Sequence, residues 1–141
     1  MPSVRIAPDL RRVVAARAQH RCEYCKALAR YHDLFTIDHV HPRSAGGETV
    51  AANLAYACVA CNLHKRDKTS AMDGLTGKIA RLFNPRMLAW SDHFTWAADG
   101  ATILGITGTG RVTVETLHLN RIEAINLRMI LVERGEHPPS D

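Results

Sequence analysis

No run of eighteen apolar residues occurs in this 141-residue chain, so no membrane-spanning helix is predicted. The first ten residues carry Pro2, Arg5, Pro8 and Asp9 where a secretory leader would need an unbroken apolar stretch, and the cytosol is the expected location. Internal repeats, coiled-coil heptads and low-complexity segments are also lacking, which argues against a solenoid, a fibre or a disordered tail. What remains has the length of one domain, or of one small site module plus an appendage, with 46% apolar residues for a modest core.

The formal charge of +4 is unevenly spread. Up to Arg81 there are thirteen Lys and Arg against seven Asp and Glu, whereas from Leu82 onward there are five against seven. A basic N-terminal part suits a polyanion, bound through phosphate contacts with release of counterions, although scattered Lys and Arg are more often just a solvated surface. Charge therefore supports such a partner without establishing it.

The cysteines carry a more specific signal. They form two pairs, Cys22-x2-Cys25 and Cys58-x2-Cys61, separated by thirty-two residues. Two such knuckles suit one tetrahedral zinc ion, because each short loop aims two sulfurs at the same point. Disulfides are disfavoured in a reducing compartment, and buried free thiols would not explain two matched pairs. A four-sulfur site has no open position, so the ion is a staple and any chemistry must come from other residues.

Those residues lie in the insert between the knuckles. Residues 34–40 are β-branched and apolar enough for a strand, and Pro42, Arg43, Ser44 and Gly46-Gly47 mark a loop. A second short strand is predicted around Val50 to Leu54, and a helix from Val59 to about Lys68. Asp38 and His39 are neighbours at the end of the first strand and would face opposite sides of it, so a local bend is needed if both are to reach one site.

The combination Cys22-x2-Cys25, Asp38-His39-Val40, Pro42, Ser44, Gly46-Gly47, Asn53-Leu54, Cys58-x2-Cys61-Asn62 and Lys65 resembles the HNH endonuclease family in its zinc-containing branch. The likeness runs from Cys22 to Lys68, about a third of the chain. It implies a zinc-stapled ββα-metal (His-Me finger) module, with the family's first His on His39, its central Asn on Asn53, its third position on Asn62, and the preceding Asp on Asp38.

The chemistry implied is metal-dependent hydrolysis of a phosphodiester. His39, with an ordinary pKa of about 6.5, takes a proton from the attacking water as general base. Asp38 and Asn62 offer hard oxygen ligands to a single catalytic Mg²⁺ or Mn²⁺, which would stabilise the scissile phosphate and the leaving oxygen. The supporting Asn53 is expected to bind backbone across the loop. Lys65 and Arg66 are candidates for phosphate binding, with a solvated helix face as the alternative. His64 lies about 200° from Asn62 on a regular helix and is a weaker candidate for substrate, and His41 reads as a rim residue.

The flanks read as scaffold. Asp9 can cap a helix over Leu10 to Gln19 that buries Leu10, Val13, Val14 and Ala18. Beyond Leu82, Asn84-Pro85 reads as a helix start, and Asp99-Gly100 sits in a β-hairpin between residues 93–96 and 102–106. Trp90, Phe94 and Trp96 read as core rather than a base-stacking platform. A final helix or helix pair would begin with an Asn120/Glu123 capping box and stop at Gly135. The segment 82–86 and the Trp90-x2-His93-Phe94-x-Trp96 pattern resemble the extension that follows many bacterial HNH modules.

The expectation is therefore an α+β chain, with an HNH module over 1–81 and a hairpin and helix extension over 82–141 packed on it. Its partner is nucleic acid, DNA in preference to RNA, without a membrane. No recognition helix is identifiable, so cleavage specificity is open and a partner could supply it, and cutting both strands would need two active sites, by dimerisation or sequential nicking. The alternative is a non-catalytic, zinc-stapled nucleic-acid-binding or interaction module, which would not require Asp38, His39 and Asn62 together.

Overall fold

A computed structural model describes residues 5–31 and 34–140; residues 1–4, with Pro2 among them, and residues 32, 33 and 141 lie outside the description. Among the described residues, four α-helices and three two-stranded antiparallel sheets make an α+β chain, as the sequence predicts. No helix there is long and apolar enough to cross a membrane. The chain forms two compact units, Met1–Thr69 with Asn84–Leu88, and Ser70–Phe83 with Ala89–Asp141.

The first unit is built on one hairpin. Strand β1 (Phe35–His39) pairs with β2 (Leu54–Cys58) in regular register, from Phe35 opposite Cys58 to His39 opposite Leu54. The second strand thus starts where it was expected to end. Residues 51–53 close a 3₁₀ turn instead, with the Asn53 amide bonded to the Val50 carbonyl. Helix α1 (Pro8–Arg17) begins with proline in its first turn, where the fixed φ is already helical and the missing N–H costs nothing. Asp9 therefore falls inside the helix, paired with Arg12, rather than at its cap.

Helix α1 covers one face of the hairpin. Ile6, Val14, Ile37 and Leu54 form a buried cluster with Leu10 and Tyr56 against it, while Val13, expected in the core, is 53% exposed. Each fully buried Val, Leu or Ile contributes roughly 1.5–3 kcal/mol. Helix α2 (Val59–Lys65) packs on β1 and β2 and stops three residues short of the predicted end, where Arg66 takes a φ of 52°. Asn84-Pro85 starts only a turn: the Asn84 carbonyl accepts from the amides of Met87 and Leu88, and Ala89 is extended again.

The second unit contains an unpredicted hairpin, β3 (Ser70–Met72) with β4 (Ile79–Arg81). Its turn is tied by Asp73, which accepts from the Leu75 amide and the Thr76 hydroxyl and takes a bidentate pair from Arg111 at 3.0 and 2.9 Å. That guanidinium holds the Asp73 carboxyl down at about 2. The predicted second hairpin is present as β5 (Phe94–Trp96) and β6 (Ile103–Gly105). Phe94 is buried, and Trp90 stacks on it at 5.0 Å.

Helices α3 (Gly108–Thr116) and α4 (Ile122–Glu133) follow, and Gly135, at φ 73°, ends the last. The Asn120 capping box does not form. Its amide is used across the fold, accepting from the Ile103 N–H at 2.7 Å and donating to the Ile103 carbonyl at 2.8 Å. Helix α3 lies so close to the hairpin that a Cβ on Gly110 would stand 2.0 Å from the His93 carbonyl oxygen. Gly110→Ala should destabilise this unit by about 1–3 kcal/mol in urea unfolding followed by tryptophan fluorescence, and an unchanged midpoint would show that the helix is not held at that distance.

Candidate active site

The four cysteines converge. Their sulfurs all lie within 4.8 Å of one another and are buried, with Cys25 and Cys58 3.7 Å apart. Sulfurs on one tetrahedral zinc with bonds of about 2.3 Å stand about 3.8 Å apart, whereas a disulfide would need about 2.05 Å. In each knuckle the fourth residue's amide points at the first sulfur at 3.5 Å, Cys25 N–H to Cys22 and Cys61 N–H to Cys58. The site fits a structural zinc ion closed on all four sides.

The knuckles are tied to the hairpin as well. Glu23 donates its amide to the Tyr56 carbonyl and accepts the Tyr56 amide on Oε2, and Arg86 pairs with its other oxygen. Arg17 donates to the carbonyls of Ala51 and Leu54 at 3.0 and 2.7 Å.

Because β1 is regular through His39, Asp38 and His39 point to opposite faces, and the bend needed to join them is not made within the strand. Asp38 is 3% exposed. It accepts the Tyr24 hydroxyl on Oδ2 at 2.6 Å, and the Lys65 ammonium lies 3.2 Å from both carboxylate oxygens. Lys65 is itself 2% exposed and donates further to the carbonyls of His39 and Val40 at 3.3 and 3.2 Å.

The expectation that Lys65 offers its charge to phosphate from an exposed helix face does not match this placement. A buried ammonium is retained only if paired, and breaking such a pair by removing one partner costs about 3–5 kcal/mol. Burial pushes the Asp38 carboxyl above its ordinary range, and Lys65 is the main group opposing that rise. Burial, then the Asp38 charge, holds the Tyr24 phenol well above its ordinary range, so it stays a donor.

His39 occupies the half-exposed end of the strand, its Nε2 2.9 Å from the Thr49 hydroxyl. Burial lowers its pKa, with Asp38 pulling the other way. The loop from Val40 to Asn53 is closed by Asn53. Its side chain accepts from the His41 N–H at 2.8 Å and donates to the carbonyls of His41 and Glu48 at 3.0 and 2.8 Å, while its own carbonyl accepts from Val40. Gly47 passes so close beneath that a Cβ there would lie 1.8 Å from the His41 carbonyl oxygen.

On α2, Asn62 is half-buried one turn before Lys65. His64 is half-buried, and Arg66 is exposed just past the helix. The exposed His41 points its Nε2 at the Ala45 carbonyl. Sequence reasoning missed Thr49 and Tyr24. The first stands two residues after the glycine pair, and the second inside the first knuckle, where their neighbours give no hint of what their hydroxyls reach.

Residues 22–68 match the HNH endonuclease family. The matched stretch runs from the first knuckle to three residues past α2, about a third of the chain. Domains of this family act on nucleic acids. No curated protein and no solved structure matches the chain.

The staple gives a direct prediction. Elemental analysis should find one zinc per chain, and Cys58→Ala should lose the ion and the folded state of Met1–Thr69, since structural zinc carries an apparent 10–16 kcal/mol of folding free energy in small zinc modules (roughly). A Cys58→Ala protein with full zinc content and unchanged circular dichroism would rule the staple out.

Proposed function

We propose that this chain is an endonuclease that hydrolyses phosphodiester bonds in DNA, with His39 as general base and a requirement for Mg²⁺ or Mn²⁺. The observation that carries the reading is the state of His39 within the HNH module: an imidazole at the open end of β1, held at Nε2 by Thr49, with its pKa lowered by burial. In the tautomer whose Nε2–H donates to the Thr49 hydroxyl, Nδ1 is the nitrogen left to accept a proton from water, and a lowered pKa keeps the ring neutral at pH 7.

The hard oxygen donors Asp38 and Asn62 are of the kind that suits a divalent ion, and because Tyr24 and Lys65 already engage both oxygens of the buried Asp38, an ion there would share the carboxylate with the Lys65 ammonium. Such an ion, held by these two residues, would supply positive charge at the scissile phosphate. Asn53 keeps the loop closed around His39. Arg66, exposed beyond α2, and His64 are the phosphate contacts we assign, and the basic excess up to Arg81 favours the DNA backbone. The cytosol, where thiols stay reduced and free for zinc, is the compartment that fits. Cutting both strands would take two such sites, from a second copy or from successive nicks.

The test is cleavage of supercoiled plasmid by zinc-loaded protein in Mg²⁺ or Mn²⁺. EDTA at a level that leaves the zinc bound should stop it, and His39→Ala should slow it about 10²–10⁴-fold. The lowered pKa of His39 places the acid limb of the pH profile below the ordinary histidine value of about 6.5, with rate lost as pH falls through it. If the folded wild type binds DNA in a salt-dependent way and cuts no strand with any divalent metal, the protein is a zinc-stapled binding module and the nuclease reading is wrong.

A further inference from the structure

Tyr24 and Lys65 take no part in the proton transfer proposed above, yet both are buried and both end on the same carboxylate. They come from opposite arms of the cysteine cluster. Tyr24 lies between Cys22 and Cys25, and Lys65 closes the helix that Cys58 caps with its sulfur. The hydroxyl holds Asp38 Oδ2 at 2.6 Å, and the ammonium holds Asp38 together with the His39 and Val40 carbonyls, all within 3.3 Å.

We infer that Tyr24 and Lys65 are positioning residues of the nuclease site: they fix the Asp38 carboxylate and the carbonyl end of β1 from which the His39 ring projects. The inference rests on the nuclease reading for its catalytic meaning. An aspartate on a strand rotates about two side-chain bonds. Two donors from separate elements remove that freedom, and the third and fourth contacts of Lys65 hold the two successive backbone carbonyls that flank Val40. Groups that orient a metal ligand in this way typically change metal affinity or turnover 10- to 100-fold when removed. Contact between Lys65 and a phosphate would instead require the ammonium to leave all of these oxygens.

The test compares wild type, Tyr24→Phe and Lys65→Met as zinc-loaded full-length proteins. The readouts are Mn²⁺ binding followed by electron paramagnetic resonance, kcat and KM for plasmid at saturating Mn²⁺, and the salt dependence of DNA binding. Tyr24→Phe removes one oxygen and no charge, so it is the variant whose fold is safest. It should weaken Mn²⁺ binding or lower kcat by 10- to 100-fold with KM unchanged. Lys65→Met should lower kcat without changing the salt slope.

A Lys65→Met protein that keeps kcat, raises KM and loses about one unit of salt slope would make Lys65 a phosphate ligand and overturn the inference. So would a Tyr24→Phe protein equal to wild type in both Mn²⁺ binding and kcat. Should the wild type cut no DNA, the nuclease reading fails on its own. The Mn²⁺ titration then still decides the positioning role: weaker binding by Tyr24→Phe upholds it, and equal or absent binding in both proteins overturns it.

Discussion

Four sulfurs drawn to within 4.8 Å of one another are the constraint on which the rest of Met1–Thr69 depends. They close a loop of thirty-two residues at its base, and closure by a metal removes chain entropy that a hairpin this small has too little apolar surface to offset. Strand β2 runs straight into the second knuckle, so Cys58 is at once the last strand residue and the cap of α2. With that junction fixed, the direction of α2 is fixed, and its last turn delivers Lys65 beneath the end of β1. The apolar cluster of Ile6, Val14, Ile37 and Leu54 steadies the opposite face of the same hairpin.

The parts of this arrangement that were legible in the sequence are those set by local spacing. Two-residue gaps between cysteines specify knuckles whatever lies elsewhere, and the β-branched run into His39 specifies a strand. Strand β2 was misplaced because Val50 to Leu54 has strand composition, while Asn53 is needed to bridge the loop and can do so only from a turn. Asn120 shows the same conflict: its spacing to Glu123 is that of a cap, but the Ile103 backbone lies within reach and takes both ends of the amide. The three-residue strands β3 and β4 are too short to show a period of two.

Lys65 marks the limit of such reading. On a short helix followed by Arg66 and Lys68 it has every local attribute of a solvated cation, and its burial depends on a carboxylate twenty-seven positions away. The hydroxyls of Thr49 and Tyr24 are equally silent, since a single polar atom acquires its role only from what the fold brings within 3 Å of it.

The alternation of β1 divides labour between two adjacent residues. Asp38 is buried on the face where Lys65 lies, and His39 points to the other face at the half-exposed end of the strand, so the two side chains occupy consecutive positions without competing for space. They remain coupled through their charges. Alone, the Asp38 carboxylate would favour the imidazolium and spoil His39 as a base. Lys65 sits on that carboxylate, and its own field acts on His39 in the opposite sense, the same sense as burial. Burial does most to keep the histidine beside this aspartate neutral, Arg43 adds to it, and Lys65 offsets part of the pull of the carboxylate it pairs with, which is the condition the proposed general base requires.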